Sequence, residues 1–250
     1  MTVHIDVYDD LDALTTAAAR RLADTLIAAQ AQRGSASIVL TGGGAGIGTL
    51  RALRRLAEHA DGAAIDWRSI DIYWGDERFV APDDPERNEL QAREALLDHV
   101  DVDPARVHPI AAVGGEFADD ADAAARAYAG VLSRHGQPVP EFDVHLLGIG
   151  GEGHVNSLFP HTDAVRERHA PVVAVLDSPK PPAVRVTLTL PAVRAAREVW
   201  LLAAGAEKAD AVAAAVGGAD PDDIPAAGAV GSAETRWFLD TAAAGALPEN

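Results

Sequence analysis

The chain contains no cysteine, which excludes disulfides, thiolate nucleophiles and Cys-ligated metals and is compatible with a reducing compartment. Positive charge is scarce. Lys and Arg total 21 against 38 Asp and Glu, a formal net charge of −17 over 250 residues, so the overall field repels nucleic acid and anionic membrane. Any anionic ligand therefore needs a local basic cluster. No uninterrupted apolar stretch is long enough to span a bilayer, and Met1 opens directly onto a strand-like run ending in Asp9-Asp10, without a basic leader and apolar core. These absences predict a soluble, cytoplasmic protein.

What is present is apolar residue in quantity, 48% of the chain, enough to bury one large core and consistent with a single α/β domain over residues 1–250. Short β-branched runs alternate with Ala-rich segments of helical period. Strands are predicted at Val3–Val7, Ser37–Leu40, Ile70–Trp74, Phe142–Leu147, Val172–Leu176, Val184–Leu190 and Val199–Ala203. Helices are predicted at Leu11–Gln32, Ile47–His59, Glu86–Val100, Asp119–His135 and Glu207–Val216. Such alternation implies a Rossmann-like, mostly parallel sheet with helices on both faces. Pro179-Lys180-Pro181-Pro182 reads as a surface turn that delivers Arg185 to a strand.

The polar residues fall at the carboxyl ends of strands. One strand runs into Thr41-Gly42-Gly43-Gly44-Ala45-Gly46, a second into Gly75-Asp76-Glu77-Arg78, a third into Gly148-Ile149-Gly150-Gly151-Glu152-Gly153-His154, a fourth into Gly205-Ala206-Glu207-Lys208. In open α/β sheets ligands bind beyond those ends, so the four loops are expected to share one pocket. The Thr41 loop precedes a helix and reads as an anion cradle. No Lys-Ser or Lys-Thr pair follows its glycines, so it is not a nucleoside-triphosphate loop. Arg78, Arg185 and Lys208 are candidate anion ligands, with Asp76 and Glu77 expected to orient Arg78.

His154 is the candidate general base and Glu152 its orienting partner. The literal G-x-G-x-x-G of Gly148, Gly150 and Gly153 invites a dinucleotide reading, yet the chain reaches Pro160 before a helix has room to form. Ser157 lacks the strained G-x-S-x-G elbow of a nucleophile. None of the nine histidines lies in H-E-x-x-H spacing, so neither a metal nor any other cofactor is expected.

Together these motifs resemble the 6-phosphogluconolactonases. The resemblance rests on Thr41-Gly42-Gly43, on Asp76-Glu77-Arg78 followed by Asn88, and above all on Gly148 to His154 with its Ser157-Leu158-Phe159-Pro160 tail. Arg185-Val186-Thr187 and Gly205 to Lys208 follow in the same order. It implies a fold similar to sugar-phosphate deaminases and isomerases, and hydrolysis of 6-phospho-D-glucono-1,5-lactone in the pentose phosphate pathway. His154, Glu152 and Arg78 would be catalytic; Thr41, Gly42, Gly43, Gly44, Asp76, Asn88, Gly150, Arg185 and Lys208 would bind substrate. Three positions depart from the family: Glu152 replaces aspartate, Asn156 replaces alanine, and Gly46 stands where proline often follows the loop. The competing readings are a glucosamine-6-phosphate deaminase, which its Phe159-Pro160 ending disfavours, and a non-catalytic sugar-phosphate sensor. The only partner implied is a small phosphosugar lactone; nothing in the sequence sets the oligomeric state, a monomer being favoured.

Overall fold

The structure is a computed structural model that describes residues 2–58, 64–136 and 138–248. In chain order its elements are β1 (Thr2–Tyr8), α1 (Leu11–Arg33), β2 (Ala36–Leu40), α2 (Gly43–Ala57), β3 (Ile70–Trp74) and β4 (Asp76–Arg78). Then come α3 (Asn88–Ala95), β5 (Val107–His108), α4 (Ala121–His135), β6 (Val144–Gly148), α5 (Asp163–Arg166) and β7 (Val172–Val175). The chain closes with β8 (Arg185–Leu188), α6 (Leu190–Val193), β9 (Glu198–Ala203), α7 (Ala209–Val216) and β10 (Glu234–Asp240).

Seven strands form one sheet in the order β1-β10-β9-β6-β2-β3-β5, and every neighbouring pair is parallel. The α/β expectation holds. Its central strands are buried on both faces, as a covered parallel sheet requires: Val144, His145, Leu146 and Leu147 are all buried, as are Val199 to Ala203. The amphipathic face of α1 places Leu14, Ala18, Leu22 and Leu26 in the core at four-residue spacing. Small residues let the helices close on one another. A Cβ at Gly48 of α2 would lie 2.9 Å from the Thr15 methyl of α1.

Three differences from the sequence expectation matter. The runs beginning at Val172 and Val184 do not join the parallel sheet; β7, β8 and β4 make a separate antiparallel sheet in the order β4-β8-β7. Helix α2 begins at Gly43, so the glycine loop is its first turn, while the expected end at His59 lies outside the described residues. Strand β10 was not anticipated, because Glu234-Thr235-Arg236 opens it with polar side chains; pairing with both β1 and β9 overrides that local signal. No helix among the described residues is long and apolar enough to cross a membrane.

Candidate active site

Neighbouring β2 and β6 send their chains to opposite sides of the sheet, β2 towards β3 and β6 towards β9. That is a topological switch point, where the loops beyond the strand ends separate and leave a crevice. The Gly148 amide donates across it to Thr41 Oγ1 at 3.4 Å. A cavity of about 140 Å³ takes Thr41, Gly42 and Gly43 from the first loop, Asp76, Arg78 and Asn88 from the second, His154 and Asn156 from the third, and Arg185 from β8. Lys208 does not line it. The lysine belongs to an adjoining cavity of about 330 Å³ with Gly44 to Gly46, and the two cavities share Gly42, Gly43, Gly148 and Ile149.

The His154 ring is largely covered. Its Nδ1 lies 3.1 Å from Glu152 Oε1, and its face packs on Phe159 with centroids 4.5 Å apart. Burial lowers its pKa below the ordinary imidazole value, partly offset by the Glu152 charge. The neutral ring therefore dominates at pH 7. Nδ1 lies against the carboxylate without an aligned hydrogen bond, which leaves Nε2 as the nitrogen to accept a proton. Glu152 stays outside the cavity, where Lys180 Nζ holds it at 2.8 Å. Although burial alone would raise it, the hydrogen bond from Lys180 and the charges around it bring the Glu152 pKa below the usual value.

Gly150 is a steric requirement, not a cavity wall: a Cβ there would sit 1.9 Å from His154 Nδ1 and 2.7 Å from Glu152 Oε2. The tight turn is closed by the Gly150 amide on the His154 carbonyl at 2.9 Å and the Gly153 amide on the Gly150 carbonyl at 3.0 Å.

Asp76 and Glu77 do not orient the Arg78 guanidinium, contrary to the sequence expectation. Asp76 accepts from Ser157 Oγ at 2.6 Å and from Asn88 Nδ2 at 3.1 Å, joining the second loop to the third. Ser157 is fully buried in that bond, a structural role. Buried Glu77 accepts the backbone amides of Asn88 at 2.7 Å, Glu89 at 2.8 Å and Arg78 at 2.8 Å, capping the start of α3. Burial pushes its pKa up to about 7 despite Arg87 and those amides. The Arg78 guanidinium instead donates to the Glu86 carbonyl.

Arg185 is also tied down, donating to the carbonyls of Pro182 at 3.0 Å and of Lys180 and Pro181 at 3.1 Å. One of its nitrogens, Nη1, reaches towards Ser157 at 3.5 Å, and the guanidinium lies 5.7 Å over the Phe159 ring. In this way the guanidinium fixes the proline turn that carries Lys180.

Two functional candidates escaped the sequence reading. Lys180 was hidden in what read as a surface turn; its signal was the extra methylene of Glu152, which demands a partner at longer reach. Asn156 lines the cavity at a left-handed φ of 49°, its buried amide turned towards the neighbouring His145 ring. It stands against the fully buried His145, whose pKa burial lowers to about 3, so that ring is neutral.

The N-terminus of α2 completes the arrangement. Gly42 sits at its cap position without any side chain bonding the first amides, and Gly43 adopts φ 79°. Gly42 to Gly46 line the cavity that Lys208 also lines, so a helix N-terminus and an ammonium border one space, an arrangement able to hold an anion.

The sequence matches, over residues 9–237, the family described as glucosamine-6-phosphate isomerases/6-phosphogluconolactonase. The 6-phosphogluconolactonase of Mycobacterium tuberculosis is 56% identical across 99% of this chain and 100% of its own. That of Streptomyces coelicolor is 53% identical across 100% and 96%. Among solved structures, 6-phosphogluconolactonase from Trypanosoma brucei superposes with a TM-score of 0.84 at 29% identity, covering 99% of both chains. A monomeric glucosamine-6-phosphate deaminase superposes with a TM-score of 0.78 at 27% identity, covering 98% of this chain and 100% of that one.

Proposed function

The chain belongs to the family of glucosamine-6-phosphate isomerases and 6-phosphogluconolactonases, and from that premise we propose that it hydrolyses 6-phospho-D-glucono-1,5-lactone to 6-phospho-D-gluconate. Full-length identity of 56% and 53% to proteins named for that reaction supports the reading. The observation that carries the chemistry is His154, neutral, with Nδ1 3.1 Å from Glu152 Oε1, and lining the cavity at the switch point.

A δ-lactone is an activated ester, so water assisted by a base is a sufficient nucleophile. His154 Nε2 takes a proton as the water oxygen bonds to C1. The carbonyl becomes a tetrahedral oxyanion, stabilised by Arg78 and the loop amides. On collapse the bond from C1 to the ring oxygen breaks, and the imidazolium returns its proton to that oxygen, leaving a hydroxyl and a carboxylic acid that ionises. Asn156, on the cavity wall beside His145, is positioned to shape the space taken by the sugar ring.

The phosphate lies over the N-terminus of α2 beside Lys208, in the adjoining cavity, so that its binding energy positions the ring next to His154. Arg185 Nη1 adds positive charge on the His154 side. On this reading Lys208→Ala raises KM about tenfold or more with kcat nearly unchanged, the signature of uniform binding. Equal losses in both constants would put its charge at the transition state instead.

The test is to supply 6-phosphogluconolactone and follow acid release above the spontaneous rate, with ammonia release from glucosamine 6-phosphate measured in parallel. Acid release with no ammonia is expected. Ammonia release would identify a deaminase, and silence in both assays a sugar-phosphate sensor.

A further inference from the structure

We propose that Asp71, His108 and His135 form a binding site for a divalent transition-metal cation of the zinc class, separate from the catalytic cavity. The three come from β3, β5 and the last turn of α4, and each offers one ligand atom, all within 4.8 Å of one another. His108 Nε2 stands 3.3 Å from Asp71 Oδ1. Metal bonds of about 2.0–2.1 Å put two ligands of a tetrahedron about 3.3 Å apart, so this pair already spans one tetrahedral edge. The ring of His135 lies 4.6 Å from that of His108, centroid to centroid. Being in an exposed last turn, His135 has room to swing its nitrogen into the third position.

The surroundings are those of a supported site. Tyr73 stacks on His108 at 4.6 Å, limiting that ring, and meets the exposed His135 only edge-on at 6.0 Å. Arg106 Nη2 holds Asp71 Oδ2 at 2.6 Å, an outer hydrogen bond of the kind that orients a ligating carboxylate. Its Nε also approaches Oδ1 at 3.3 Å, so a metal has to share that oxygen with a cation, and micromolar affinity is expected rather than tighter. A cavity of about 200 Å³ lined by Asp71, Tyr73 and His135 opens on the site, giving entry and room for a water ligand. A carboxylate with two imidazoles is a donor set suited to zinc and poor for magnesium or calcium.

Titration of metal-free protein with Co²⁺, followed by visible d–d absorption, and with Zn²⁺, followed by calorimetry, tests this without reference to activity. One site per chain is expected, weakened about tenfold or more in His108→Ala and in His135→Ala. His161→Ala, a surface histidine beside Asp222 and Asp223, is expected to bind as the parent does. His135 is exposed at a helix end, so its variant keeps the fold even if His108→Ala does not. No Co²⁺ spectrum in the parent protein, or unchanged affinity in His135→Ala, would overturn the proposal.

Discussion

At His154 the basicity of one imidazole is set first by burial and then by a short chain of charges, Lys180 to Glu152 to the ring. The positive charge of Lys180 opposes protonation of His154, whereas Glu152 and Asp76 favour it. Removing Lys180 therefore raises the His154 pKa. Since the base works only when neutral, the acid limb of the kcat/KM profile is expected to move to higher pH in Lys180→Met, with Lys180→Arg close to the parent. An unmoved limb would reduce the lysine to a surface ion pair of little consequence. The pair explains the departure at 152: the longer carboxylate reaches both partners. His154 and Glu152 were legible because glycines frame them in sequence. Lys180 was not, because its contact depends on Arg185 gathering the carbonyls of the proline turn.

Two elements frame the site, and each carries a test. The first turn of α2 needs Gly42: a Cβ there would lie 2.0 Å from Asn88 Oδ1, and Asn88 is held by the carbonyl and carboxylate of Asp76. Gly42→Ala is expected to cost about 1–3 kcal/mol in urea denaturation through that overpacking. Gly44→Ala meets nothing within 4 Å and is expected to keep parental stability.

The second element is α3, capped by Glu77 with a native pKa of about 7 against an ordinary 4.5. Between those values the native state keeps a proton that the unfolded chain releases. Stability contributed through this group therefore falls as pH rises from 4.5 to 7, by on the order of 2–3 kcal/mol. Glu77→Gln should remove that slope from denaturation measured across the same range; an unchanged slope would assign it elsewhere. The parallel strands and long helices were readable from period and alternation. The antiparallel trio was not, since β4 is only three residues long and an apolar run looks alike in either sheet. The metal-ligand cluster was equally silent, its members being brought together by β3, β5 and α4 and not by spacing.

For the whole molecule, the strand-end rule carried most of the prediction. Loops after β2, β3 and β6 do converge, because parallel strands place all their carboxyl ends on one edge. The fourth loop, after β9, lands one strand further from β2 and gives Lys208 a cavity of its own. On the proposed reading that separation divides the labour: the phosphate over α2 at one end, a neutral imidazole at the other, and a shared glycine wall between them. The net charge of −17 makes this local concentration of cations necessary for an anionic substrate.

The most direct measurement is the steady-state hydrolysis of 6-phosphogluconolactone by His154→Gln, with 6-phosphogluconate affinity determined on the same sample. A fall in kcat of about 10²–10⁴, with product affinity retained, is expected for loss of a general base. A variant that hydrolyses the lactone as fast as the parent would contradict His154 as the residue that activates water.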